Sequence, residues 1–139
     1  MARTSSGTHR RRKILIIEDY DETRLLLGEH FTHAGYHVET ASEGNAGIAA
    51  ALALQPDVIV LDLAMPRLDG WDTVRILRSY PTTTGIPVIA CTAMRSDEML
   101  DLATALGCNA VVRKPCVPMD VEQVVDKMLE APESANGGR

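Results

Sequence analysis

"ILIIEDY", residues 14–20, sets four consecutive apolar residues, Ile14 to Ile17, directly against two acids, Glu18 and Asp19. A run that is apolar at every position, rather than at alternate ones, suits a strand buried on both faces, as in a parallel sheet. A turn residue would be the ordinary end of such a strand. Two adjacent like charges there require something positive beyond it.

Four more short runs follow: "YHVET" (36–40), "DVIVLD" (57–62), "IPVIACT" (86–92) and "NAVVRK" (109–114). Helical spacing fills the intervals. Ala46, Ala49, Ala50 and Ala53 fall at i, i+3, i+4, i+7, as do Met99, Leu102, Ala103 and Leu106, and Val121, Val124, Val125 and Met128. That spacing predicts amphipathic helices with these residues as the buried stripes. Ser42 and Asp97 are candidate helix caps, Pro118 fits an early helical position, and Gly35 and Gly107 fall where left-handed caps end helices. A third helix is expected from about Gly70 and Trp71 to before Pro81, with Trp71 packing partly on the core. Five strands alternating with five helices call for an α/β fold with a parallel sheet covered on both faces. "YHVET" alternates in polarity and reads as an edge strand.

The chain has 139 residues, 45% of them hydrophobic and 24% charged, the balance of one ordinary globular domain. Five of its 14 basic residues lie within 1–13 and no acid does, so the rest carries 9 bases against 19 acids, a balance of −10. An acidic body argues against direct nucleic-acid binding. Residues 1–12 are expected to be a disordered basic arm, 13–130 the domain, and the polar, Gly-containing 131–139 a disordered tail. No apolar stretch is long enough for membrane insertion and no secretory signal is evident. Cys91, Cys108 and Cys116 show no C-x-x-C spacing, which suits a cytoplasmic location and free thiols serving mainly as buried fillers. His30, His33 and His37 read as surface or helix-end residues rather than zinc ligands.

The strand ends carry the chemistry. "IIED" ends in Glu18 and Asp19, "VIVLD" in Asp62, "VIACT" in Thr92 and "AVVRK" in Lys114. Open α/β sheets bind ligands beyond the carboxyl ends of their strands, at a topological switch point. Three carboxylates there leave two negative charges after Lys114 cancels one, and a pair 4 Å apart repels by about 4 kcal/mol at an effective dielectric near 20. Mg²⁺ suits the remainder, because it takes oxygen ligands and is commonly held by one or two carboxylates plus a phosphate.

With "IIED", "VIVLDLAMPRLDGW", "IPVIACTA" and "VVRKP" in this order, the chain resembles the receiver domain of two-component response regulators over roughly residues 13–130. The resemblance implies a flavodoxin-like, doubly wound, five-stranded parallel sheet of order 2-1-3-4-5. It makes Asp62 the phosphoacceptor, receiving a phosphoryl group from a phosphohistidine on a sensor histidine kinase or histidine phosphotransfer protein. Asp19, Asp62 and the backbone carbonyl of Ala64 would bind Mg²⁺, with Glu18 acting through water. Lys114 and the Thr92 hydroxyl would bind phosphoryl oxygens, and a cis Lys114–Pro115 bond would aim the lysine. Pro66 would stiffen the loop after Asp62, and Asp69 would cap the next helix. Such a domain is no enzyme beyond its own phosphorylation and dephosphorylation.

The resemblance further implies a downstream protein target on the surface of the fourth helix, fifth strand and fifth helix. The chain reads as a receiver without an attached output domain, a larger regulator's fragment being the other option. Two departures stand out: Glu18 where Asp is common, and Val111 where a Tyr or Phe often turns inward on activation. Val111 offers no ring for that movement. Rival readings are a pseudo-receiver that signals by dimerisation and a Mg²⁺-dependent aspartate phosphatase. The phosphatase lacks support, because such enzymes commonly carry D-x-D on the first strand.

Overall fold

The computed structural model describes residues 11–65, 68–93 and 96–137, with side chains described to residue 130. Strands and helices alternate: β1 (Lys13–Ile17), α1 (Asp21–His33), β2 (His37–Ala41), α2 (Gly44–Leu54), β3 (Val58–Asp62), α3 (Gly70–Ser79), β4 (Val88–Thr92), α4 (Asp97–Leu106), β5 (Ala110–Arg113) and α5 (Pro118–Gly137). All four strand pairings are parallel, and the sheet order is β2-β1-β3-β4-β5, as expected. From β1 the chain crosses first to one neighbour, β2, and then to the other, β3. That change of direction is the switch point, and it lies between β1 and β3.

Residues alternate between the two faces of the sheet, so each central strand feeds two cores. Leu15, Ile17, Ile59, Leu61, Val88 and Ala90 pack beneath α2, α3 and α4 with Ile48, Ala51, Val74, Leu77 and Ala103. Ile14, Ile16, Val58, Val60, Ile89 and Cys91 pack beneath α1 and α5 with Leu27, Phe31, Val121 and Val125. Every residue of β3 and β4 is buried, which is why their sequences lack alternation. Only Ala41 of β2 is buried, in keeping with its place at the edge.

Helix phase departs from expectation in two places. In α2 the buried residues are Gly44, Gly47, Ile48 and Ala51, whereas Ala46, Ala49 and Ala53 face outward and Ala50 is half-buried. A helix that is apolar almost all round has no polar face to fix its rotation, so the sheet surface sets it. Gly47 faces the sheet because a Cβ there would come within 2.4 Å of Ile17 Cδ1. In α4 Leu102 is 55% exposed and only Ala103 is fully buried. The predicted α5 stripe holds, with Val121 and Val125 buried and Val124 and Met128 beside them.

Caps differ by one residue. Ser96, not Asp97, caps α4 by accepting from Met99 N, and Glu43 rather than Ser42 precedes α2 without a side-chain cap bond. Pro118 opens α5 and Gly35 and Gly107 have positive φ, as predicted. Helix α5 runs to Gly137, beyond the residue-130 boundary drawn from sequence. Extending a formed helix costs far less than starting one, so polar residues can follow. Most of the predicted basic arm, residues 1–10, lies outside the described residues, as does Pro66. No helix among the described residues is long and apolar enough to cross a membrane.

Candidate functional site

Strand β1 ends at Ile17, which pairs with Leu61 of β3, so Glu18 stands level with Asp62 across the switch point. Asp19 is the next residue along. Carboxylate oxygens from Glu18, Asp19 and Asp62 all lie within 4.8 Å of one another. Glu18 and Asp62 are buried, at 2% and 7% exposure. Two acids of like charge are thus removed from most of their water, an arrangement that persists only with specific partners.

Those partners are visible. Glu18 Oε2 accepts from the backbone N–H of Tyr20 at 3.2 Å, and Asp62 Oδ1 accepts from Ala64 N–H at 3.0 Å. The other oxygen of each carboxylate faces one ammonium group: Lys114 Nζ lies 3.2 Å from Glu18 Oε1 and 3.4 Å from Asp62 Oδ2. Each acid therefore has one oxygen fixed by its own turn and one shared with the lysine. Burial, and then the charge of Asp62, hold the Glu18 carboxyl above the usual carboxylate range, with Lys114 opposing. Burial alone would pull Lys114 down, but Asp62 and Glu18 outweigh it and keep the ammonium firmly protonated.

Lys114 comes from two strands away. It follows β5, which borders β4 rather than β3, and its backbone N–H donates to Thr92 O at 2.8 Å. That bond ties the lysine to the end of β4, where Thr92 is fully buried. The Lys114–Pro115 peptide is cis, as the resemblance implied. Val111 lies half-buried against the core beneath α4.

Beneath Asp62, Gly70 starts α3 hard against the strand end. A Cβ on Gly70 would sit 2.2 Å from Leu63 Cα and 2.5 Å from Asp62 O, a clash with backbone that has no easy relief. Gly70 N donates to Leu63 O, and Asp69 Oδ1 caps the helix by accepting from Asp72 N at 2.9 Å. The glycine lets the helix hold the Asp62 loop in place.

The structure brings together Glu18, Asp19, Asp62 and Lys114 and puts Thr92 and Ala64 at the same rim. The histidines stay apart from it: His30 Nε2 lies 2.6 Å from Glu122 Oε1, linking α1 to α5. One arrangement that sequence reading missed involves Cys116. It is half-buried, and it packs against the core cluster that contains Cys91. Nothing in the spacing of residues 91 and 116 announces that pairing.

Residues 14–126 match the family model of the response regulator receiver domain. Among curated proteins, the chain is 36% identical over 103 residues to the probable transcriptional regulatory protein SilR of Salmonella typhimurium, covering 74% of this chain and 44% of that protein. It is 34% identical over 126 residues to the alkaline phosphatase synthesis transcriptional regulatory protein PhoP of Bacillus subtilis, covering 89% and 51%. The chain thus spans about half the length of these relatives. Among solved structures, chemotaxis protein CheY4 of Vibrio cholerae superposes with a TM-score of 0.81 at 27% identity, covering 85% of this chain and 98% of that one.

Proposed function

The chain belongs to the response regulator receiver domain family, signalling modules of two-component systems, and from that premise we propose that Asp62 accepts a phosphoryl group from a partner's phosphohistidine. The observation that carries this reading is the single ammonium of Lys114 set between two buried carboxylates, with a third acid adjoining. Among the described residues, Lys114 is the one cation that bonds these carboxylates, which leaves the cluster short of positive charge.

The residues present fit Mg²⁺: the donors are oxygens only, and their excess charge is two negatives. Asp19, Asp62 and the Ala64 carbonyl would hold it, with Glu18 acting through water. When bound, the ion supplies positive charge against the phosphoryl oxygens. The protein's own groups do the rest. Ala64 N–H fixes one oxygen of Asp62, leaving the oxygen that faces Lys114 to attack phosphorus. The new O–P bond forms as the P–N bond to the donor imidazole breaks. Lys114 and the Thr92 hydroxyl stabilise the transferred oxygens, since positioning and charge neutralisation carry most of phosphoryl transfer.

The added charge, about −2 at neutral pH, draws Thr92 and Lys114 inward and shifts the α4-β5-α5 surface between two populations that a downstream protein distinguishes. Without a ring at Val111, the shift falls to Thr92 and the adjoining loops. A sensor histidine kinase or histidine phosphotransfer protein is the donor, in the cytoplasm. The acidic receiver body meets proteins rather than nucleic acid. Intact-protein mass after incubation with Mg²⁺ and acetyl phosphate tests the reading. One phosphoryl adduct, lost in Asp62→Ala and lost without Mg²⁺, is expected. Failure of both acetyl phosphate and a phosphohistidine donor to label the protein would sink it.

A further inference from the structure

A cavity of about 440 Å³ opens beside the acidic cluster, between α1 and the loop from β5 to α5. Leu26, Leu27, Pro118 and Val121 give it apolar lining, and Cys91, Cys116 and Lys114 line it as well. The two thiols come from different elements. Cys91 lies on β4, buried and directly before Thr92, and Cys116 is half-buried two residues after Lys114. Cys116 packs against the core cluster that holds Cys91, and the cavity that both line gives small molecules a route to them. We propose that Cys91 and Cys116 are an oxidant-sensitive dithiol, a covalent modification site that reacts with a hydroperoxide and closes to an intramolecular disulfide.

Cys116 is the nucleophile. The neighbouring Cys91 thiol, and then the Lys114 ammonium, hold its thiol down to about 7, against burial and Asp120. Cys91, buried on β4, is the resolving thiol. Thiolates, not thiols, attack peroxides, and a nearby second thiol resolves the product. In the first step, Cys116 sulfur attacks one peroxide oxygen and the O–O bond breaks. The other oxygen leaves as hydroxide and takes up a proton to become water, leaving a sulfenic acid. In the second, Cys91 sulfur attacks Cys116 sulfur as the S–O bond breaks, and the departing hydroxide takes the Cys91 proton. Two thiols lose two electrons in all, and hydrogen peroxide becomes two waters.

Closure changes the geometry. A disulfide brings its two sulfurs to about 2.05 Å, closer than any non-bonded contact between them. That draws the loop after Lys114 toward the end of β4 and shifts the ammonium relative to Asp62 and Glu18. A misplacement of about 1 Å in reacting geometry can cost roughly a hundredfold in rate. This consequence rests on the phosphoacceptor reading; the disulfide itself does not.

The experiment exposes the reduced protein to hydrogen peroxide, alkylates remaining thiols, and reads intact mass and peptide linkage without reductant. The expected product is a monomer lighter by two hydrogens, with Cys91 joined to Cys116 and Cys108 still a thiol. Cys116→Ser should abolish it, and Cys91→Ser should stop at a sulfenic acid on Cys116 that dimedone traps. A disulfide-linked dimer, a bond to Cys108, or unreacted Cys91 and Cys116 would overturn the proposal. The oxidised protein should then take phosphoryl from acetyl phosphate at least tenfold more slowly, recover with dithiothreitol, and show no peroxide effect in Cys116→Ser. An unchanged rate in the disulfide form would overturn the coupling. Reduced protein that takes no phosphoryl group from any donor would instead strike the phosphoacceptor reading, with the disulfide still decided by mass.

Discussion

Lys114 and Arg78 are both cations set among oxygens, at opposite ends of the sheet, and they meet opposite balances of charge. Arg78 leaves α3 and donates to Gly107 O, Thr83 O, Thr84 O, Ile86 O and the Asn109 side chain, at 2.7 to 3.4 Å. Its acceptors are neutral and its planar fork suits several of them at once. Asn109 Oδ1 also accepts from Val88 N, so the clamp joins α3, the loop before β4, and the α4–β5 turn. Lys114 instead faces two carboxylates with one charge, and a third acid stands close by. The arginine completes a structure; the lysine leaves a deficit for a ligand to fill.

The largest expected effect separates the two in function. Lys114→Met should lower phosphoryl acceptance roughly 10²–10³-fold, the usual effect of losing one preorganised donor, measured as the rate of adduct formation by mass. Arg78→Met should leave acceptance by the folded protein nearly intact. Its loss should appear in stability instead: about 3 kcal/mol in urea unfolding, because several carbonyls lose their donor together. Equal stability losses in both variants, with equal rates, would erase the distinction.

Next comes Glu18→Gln, which relieves the deficit without filling it. In metal-free buffer at pH 7 the variant should be more stable than the parent by about 1–2 kcal/mol. The sign follows from the raised carboxyl of Glu18. Its stabilising contribution is full below the unfolded pKa and is lost as pH rises through the higher folded value. The gain should therefore shrink as pH falls and vanish below about pH 4, where Glu18 is protonated in both states. Urea titrations across pH read this, and a gain independent of pH would refute the charge-deficit account. Mg²⁺ should reverse the order at neutral pH by binding the parent more tightly.

The smallest effect lies in the shared support. Asp69→Ala removes the cap of α3 and should cost about 1 kcal/mol, with little change in acceptance, since Gly70 still seats the helix under Asp62. A large drop in rate without lost stability would make Asp69 a member of the site rather than a cap.

Strand positions, the parallel sheet and the acids at its rim were legible in the sequence for one reason. Burial on both faces demands unbroken apolar runs, and a charge placed directly after such a run has to be functional or compensated. Chain order alone placed Glu18, Asp19, Asp62, Thr92 and Lys114 at carboxyl ends, because each strand's direction is fixed by its neighbours. Tertiary structure decided what local pattern left free. The rotation of α2 followed from the sheet beneath Gly47, since an apolar helix carries no polar face to orient it. The clamp at Arg78 and the thiol pair at Cys91 and Cys116 join residues far apart in the chain, and no period in the sequence encodes such meetings. Sequence fixes which side chains stand at the end of each strand, whereas distances between strands that are not consecutive arise only once the sheet has packed.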